Sequence, residues 1–164
     1  MNTLSFLTKM GFFTLLISIL VGCASSTKAT KSNYSKASKS RVVETAQSLI
    51  GTSYKYGGLN PREGFDCSGL TTYVFGANKT KLPHSSKAQA KFGKIVERSK
   101  WEKGDLLFFK NKDQVNHVAL ISKIEGDQVF IIHSTSSKGV ILEDLNQSAY
   151  WTKRLYVGKR IIEE

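Results

Sequence analysis

Acidic side chains, cysteines and long apolar runs are all scarce in this chain of 164 residues. Thirteen Asp and Glu stand against 24 Lys and Arg, a net charge of +11. That balance favours polyanionic partners such as nucleic acid, anionic lipid or an acidic wall polymer, without choosing among them. Aromatic and basic residues are not interleaved as a base-stacking surface requires, which argues against nucleic acid. No ligand spacing of the zinc-binding kind occurs, and neither a metal nor another cofactor is expected. No internal repeat is present. The only cysteines are Cys23 and Cys67. Two could pair in an exported protein, but their surroundings point to two unrelated roles. The remaining composition, 40% hydrophobic and 23% charged, fits one globular domain and little more.

The apolar run Met10 to Val21 follows Lys9, the only charged side chain before it. At about twelve residues it is too short to span a bilayer and suits the core of a signal peptide. It ends in Leu20-Val21-Gly22-Cys23. This tetrad resembles the bacterial lipobox. The resemblance implies removal of residues 1–22 and diacylglycerol on the Cys23 sulfur, with N-acylation adding a third chain. Two or more acyl chains anchor stably to a membrane where one does not. Ala24 and Ser25 follow the cysteine and no aspartate does. By resemblance to lipoprotein sorting in Gram-negative envelopes, that implies the outer membrane, facing the periplasm. Residues 24–40 are mostly Ser, Thr, Lys and Ala without apolar periodicity, as in a solvated tether. Seventeen extended residues reach about 60 Å. The folded domain is expected over 41–164.

Within it, Val42, Val43, Ala46, Leu49 and Ile50 recur at helical spacing and Gly51 ends the run. Residues 52–66 hold three glycines and a proline and read as a loop. A second helix is expected over Cys67–Phe75, beginning immediately after Asp66. Ser85 or Ser86 caps a short third one to Phe92. Six short apolar stretches follow: Lys94–Glu97, Asp105–Phe109, His117–Ile124, Gln128–Ser134, Val140–Leu142 and Leu155–Ile162. Helices first and strands after imply an α+β fold with a mostly antiparallel sheet. Glu125-Gly126-Asp127 marks a hairpin.

Cys67 heads a predicted helix between polar Asp66 and Ser68. A helix N-terminus lowers a thiol's pKa, and the thiolate is the nucleophile. Such a nucleophile needs a base, and the base an orienting group. In a hairpin centred on Gly126, residue 119 faces 133, so His117 and His133 share a face about 7 Å apart. A two-residue turn would shift this register by one and separate them.

Four segments carry a resemblance: Tyr54-Lys-Tyr-Gly-Gly, Gly64-Phe-Asp-Cys-Ser-Gly-Leu, Lys103-Gly-Asp-Leu-Leu-Phe-Phe and His117-Val-Ala-Leu-Ile. In their order and spacing the chain resembles the NlpC-type cell-wall peptidases, in particular single-domain murein endopeptidase lipoproteins. The resemblance covers residues 41–164. It implies a circularly permuted papain-like fold, with N-terminal helices packed on the sheet. It implies Cys67 as nucleophile, His117 as base and His133 as its orienter. Tyr54 is implied at the oxyanion or scissile carbonyl, and Asp66, Ser68 and Ser85 in substrate binding. No cofactor is implied. The partners are peptidoglycan stem peptides and, through Cys23, a membrane; the chain is expected to be a monomer. The family often has Leu-Pro-Arg where this chain has Leu82-Pro83-His84, and a neutral histidine cannot grip a carboxylate as arginine does.

Relatives cut either the D-Glu to diaminopimelate bond within a stem or the D-Ala to diaminopimelate cross-link. With no wall-binding domain accompanying these motifs, cross-link cleavage is the expectation. Two rival readings stay open: a papain-like acyltransferase, which would need an apolar groove beside Cys67, and a non-catalytic wall-binding lipoprotein, which has no need of the Cys, His, His set.

Overall fold

The computed structural model describes residues 39–162. Cys23, the lipobox and most of the tether lie outside the described residues. Helix α1 spans 39–47 and so takes in residues 39 and 40, which composition alone puts in the tether. Lys39 is buried and its ammonium sits 2.8 Å from Glu102. Val42, Val43, Ala46 and Leu49 form the buried stripe of this helix. The chain then turns at Gly51, whose N–H donates to the Val140 carbonyl.

The loop that follows holds a hairpin too short for sequence to reveal, β1 (Leu59–Asn60) with β2 (Gly64–Phe65). It leads into α2 (Cys67–Ala77) and the single turn α3 (Ser86–Gln89), capped by Ser85. Six strands complete the domain: β3 (Lys94–Val96), β4 (Leu106–Asn111), β5 (Gln114–Glu125), β6 (Gln128–Thr135), β7 (Gly139–Asp144) and β8 (Leu155–Arg160). They form one antiparallel sheet in the order β3-β8-β4-β5-β6-β7. The short helix α4 (Ala149–Thr152) precedes the last strand. Among the described residues no helix is long and apolar enough to cross a membrane.

The central strands are covered on both sides, so they read as continuous apolar runs rather than as alternating ones. Leu106, Phe108, Val118, Leu120 and Ile132 pack against α1 and α2 through Val43, Leu70, Val74 and Phe75. Their neighbours Leu107, Phe109, Ala119, Ile121 and Ile131 face the other way, onto Trp101, Leu145 and Trp151. Each large apolar side chain taken out of water contributes about 1.5–3 kcal/mol. This is the expected α+β arrangement, helices on one face of an antiparallel sheet.

The β5–β6 hairpin has the two-residue turn that would misplace the histidines: Glu125 pairs with Gln128 across Gly126-Asp127. A β-bulge undoes the shift. Ile121 pairs with Ile131 and Lys123 with Phe130, leaving Ser122 as the extra residue. Beyond it the register is the one that puts His117 and His133 on the same face. Ser122 is buried, and its hydroxyl accepts a hydrogen bond from the Gln47 side chain, 3.2 Å away on the last turn of α1.

Helix α2 is pressed against the glycine loop. A methyl group at Gly69 would lie 1.9 Å from the Gly58 carbonyl oxygen, backbone that cannot step aside alone. Ser134 of β6 closes the same corner, its hydroxyl donating to the Phe65 carbonyl at 2.7 Å. Gly69→Ala is expected to lower the urea unfolding midpoint by the equivalent of about 1–3 kcal/mol. Gly76→Ala, on the same helix with open space around it, should be neutral or stabilising by up to about 1 kcal/mol. Equal midpoints for the two variants would contradict the close contact.

Candidate active site

Asp66 caps α2. Its Oδ1 accepts from the Gly69 N–H at 2.7 Å and from the Ser68 hydroxyl at 2.9 Å. Its Oδ2 accepts from the Gly57 N–H at 3.0 Å, holding the glycine loop to the helix start. His84 Nε2 lies 3.0 and 2.9 Å from the two oxygens and donates to them. The residue that stands in place of arginine therefore rests on the capping carboxylate. Burial pushes the Asp66 carboxyl up, but the Gly69 N–H, His84 and Ser68 outweigh it and hold it below the usual range.

Cys67 is the first residue of α2 and a free thiol. Its Sγ lies 4.0 Å from the Asn116 carbonyl oxygen on β5. Burial pushes this thiol up to about 11, the Val118 N–H opposing and the Asp66 charge adding to the rise. The helix N-terminus alone predicts the opposite direction. Removal from water and a capping carboxylate one residue away outweigh the helix dipole.

His117 and His133 are both buried. His117 Nε2 lies 2.9 Å from His133 Nδ1, the rings crossing at 75°. Trp151 of α4 stacks on His117, with centroids 4.2 Å apart and planes 20° apart. Burial holds His117 well below the usual histidine range, and any positive charge on His133 adds to the effect. At neutral pH the site thus holds a neutral thiol and a neutral imidazole. Glu143 of β7 reaches the far side of the pair, its Oε1 2.6 Å from His133 Nε2 but off the ring's N–H axis.

Two cavities meet at the thiol. One, of about 430 Å³, is lined by Tyr54, Cys67, His117, Glu143, Trp151 and Arg154 among others. The other, of about 350 Å³, is lined by Tyr54, Asp66, Cys67, Ser68, His84 and Ser85 among others. Tyr54, Cys67 and Asn116 line both. A chain laid across the two would pass over Cys67 with polar groups on either side. Tyr54, whose hydroxyl is pushed up by burial and by the charges of Asp66 and Cys67, stands at the junction. Ser85 is exposed, and its hydroxyl accepts from the Ala88 N–H as the cap of α3. Every candidate from the folded part of the sequence lines one of the cavities except His133, which lies behind His117.

Trp151, Glu143 and the Asn116 carbonyl are functional neighbours that the sequence does not announce. Trp151 sits in a four-residue helix without a periodic signal. Glu143 could have been found only with the β6–β7 register in hand: His133 pairs with Ile141 and Ile131 with Glu143, so Glu143 lies diagonally from His133 on one face. Among the described residues no group of three or more His, Cys, Asp or Glu is arranged to hold a metal ion.

The NlpC/P60 family model matches residues 51–160. The gamma-DL-glutamyl hydrolase of Bacillus subtilis is 36% identical over 162 residues, 99% of this chain and 38% of that protein. The murein DD-endopeptidase MepS/murein LD-carboxypeptidase of Escherichia coli is 33% identical over 125 residues, 76% of this chain and 63% of the other. The chain thus spans less than two thirds of the length of either relative. An NlpC/P60 family protein from Bacillus cereus has a crystal structure that superposes with a TM-score of 0.69. It is 28% identical, over 76% of this chain and 40% of that one.

A half-buried neutral thiol makes a specific demand on pH. Because its pKa is raised, the thiolate is the minor form until strongly alkaline solution. Alkylation of Cys67 by iodoacetamide should therefore climb about tenfold per pH unit from pH 6 to 9. A rate already on a plateau at pH 6 to 7 would show a preformed thiolate–imidazolium pair instead.

Proposed function

The chain belongs to the NlpC/P60 family, and on that premise we propose that it is a peptidoglycan endopeptidase of the cysteine type. It hydrolyses amide bonds in the stem peptides of the cell wall or in the cross-links between them. The observation that carries the reading is the cleft, open on both sides of a helix-borne thiol, with a paired imidazole on its wall. Relatives named for gamma-DL-glutamyl and murein DD-endopeptidase activities support the substrate class and leave two candidate bonds.

Cys67 Sγ attacks the carbonyl carbon of the scissile amide while His117 takes the thiol proton, so the charge forms only as the bond does. The tetrahedral oxyanion lies against the backbone N–H groups that open α2 and the Tyr54 hydroxyl. His117 gives its proton to the departing amine, leaving a thioester on Cys67. Water, deprotonated by the same ring, attacks the thioester and restores the thiol. His133 fixes the plane of His117 from one side and Trp151 from another. Asp66, Ser68 and Ser85 present polar groups to the substrate stem. Cys23 is the lipid anchor, and the tether beyond it carries the folded domain within the cell envelope, on the outer membrane if the host is Gram-negative.

The test is digestion of purified sacculi by the full chain in detergent, with muropeptides read by mass spectrometry and Cys67→Ala beside it. Loss of cross-linked dimers with a gain of monomers, seen only with the intact cysteine, identifies the cross-link as the bond cut. Stems truncated after D-Glu identify the bond within the stem. Equal digestion by Cys67→Ala sinks the nucleophile assignment. Cys23→Ala should move the protein from the membrane fraction to the soluble one with hydrolysis retained; an unchanged membrane pool refutes the anchor.

A further inference from the structure

Behind the imidazole of His117 the polar groups form a line that ends on a carboxylate. His117 Nε2 and His133 Nδ1 are 2.9 Å apart, and His133 Nε2 is 2.6 Å from Glu143 Oε1. We propose that Glu143 is a positioning residue, whose carboxylate sets the tautomer of both rings and leaves the lone pair of His117 on Nδ1. The inference rests on His117 acting as the base.

An ionised carboxylate can only accept hydrogen bonds. Opposite it, a neutral His133 must carry its proton on Nε2, because a lone pair there would face a negative oxygen at 2.6 Å. With Nε2 protonated, His133 Nδ1 holds a lone pair and accepts from His117. His117 is then protonated on Nε2, and Nδ1 is its one basic nitrogen. The reverse arrangement, with His133 Nδ1–H donating to His117, would place the His117 proton on Nδ1 and leave no basic nitrogen outside the pair. The choice between an active and an idle ring is thus made at a carboxylate one ring behind His117.

Glu143 is held in the form this role needs. His133 beside it, the Trp151 indole N–H and the charge of Lys138 together keep its carboxyl below the usual range against the cost of its partial burial. Arg154 and Lys138 line the same cavity, and no other carboxylate does. Trp151 therefore touches the line twice, donating to Glu143 and stacking on His117. The off-axis approach of Oε1 to Nε2 makes the contact more electrostatic than directional, which is sufficient to choose a tautomer.

The experiment is long-range nitrogen–proton correlation NMR of the full chain in detergent, labelled at the histidine ring nitrogens and compared with Glu143→Leu and Glu143→Asp. His117 and His133 are expected as Nε2–H tautomers in the wild type. In Glu143→Leu the pair should become mixed or reversed, and kcat on sacculi should fall about 100-fold with KM little changed. Glu143→Asp, which keeps the charge, should lose less. A wild-type His133 protonated on Nδ1 overturns the inference, and this result needs no variant to fold. Unchanged tautomers and kcat in a folded Glu143→Leu overturn it equally. A wild type that shows the expected tautomers but leaves sacculi intact removes the proposed activity while the tautomer assignment stands.

Discussion

The carboxylate of Asp66 joins three pieces of chain at the start of α2. It accepts from the glycine loop at Gly57, from the first turn of α2 at Gly69, and from His84 on the segment leading into α3. Helix starts leave N–H groups without partners, and a capping oxygen contributes about 1 kcal/mol there. Here the same oxygens also fix where the loop carrying Tyr54 lies relative to Cys67. The close approach of Gly69 to Gly58 then follows from the cap, and the glycines of the motif follow from that approach. The carboxylate thus helps to set the position of the thiol in the cleft.

The cap carries an electrostatic cost. A negative charge one residue from the thiol, in a place shielded from water, opposes ionisation of that thiol. On the other wall, burial opposes protonation of His117. Both halves of the pair are therefore pushed toward their neutral forms. Charge separation must be driven by the reaction itself, as substrate fills the cleft and the helix N–H groups meet a developing oxyanion. The two carboxylates act at opposite ends of the site. Asp66 discourages a resting thiolate, and Glu143 favours a proton on His133 Nε2, the ring nitrogen that faces it.

Much of this was legible from residue order alone. Asp-Cys-Ser at the end of a glycine-rich loop locates the helix start, because only a cap, a small loop and a helix fit those residues in that order. The six strands were legible because apolar runs of four to eight residues have few other uses. Other features depend on partners distant in sequence. The bulge at Ser122 has no local mark, and its hydroxyl meets Gln47 across 75 residues. It also compensates a turn that, taken by itself, would have separated the histidines. The direction of the Cys67 shift was misread for the same reason: the helix dipole is local and visible in the sequence, whereas desolvation is set by the packed fold. Glu143 and Trp151 come to the site only through strand register and a single helical turn.

Charge is divided in the fold along functional lines. Acids are few, and several of the described ones do structural or site work, among them Asp66 at the cap, Glu143 behind the histidines, Asp105 fully buried against the Arg160 guanidinium at 2.9 Å, and Glu102 on Lys39. The basic excess lies mostly outside, on exposed residues such as Lys55, Lys79, Lys87 and Lys91. A surface of one sign raises the local concentration of an oppositely charged polymer without requiring any shaped contact. Under the proposed function, recognition of the wall as a polyanion and discrimination of one amide within it are separate tasks. The first is spread over many lysines, each replaceable. The second is concentrated in a few buried groups whose positions trace back to the Asp66 cap and the Ser122 bulge.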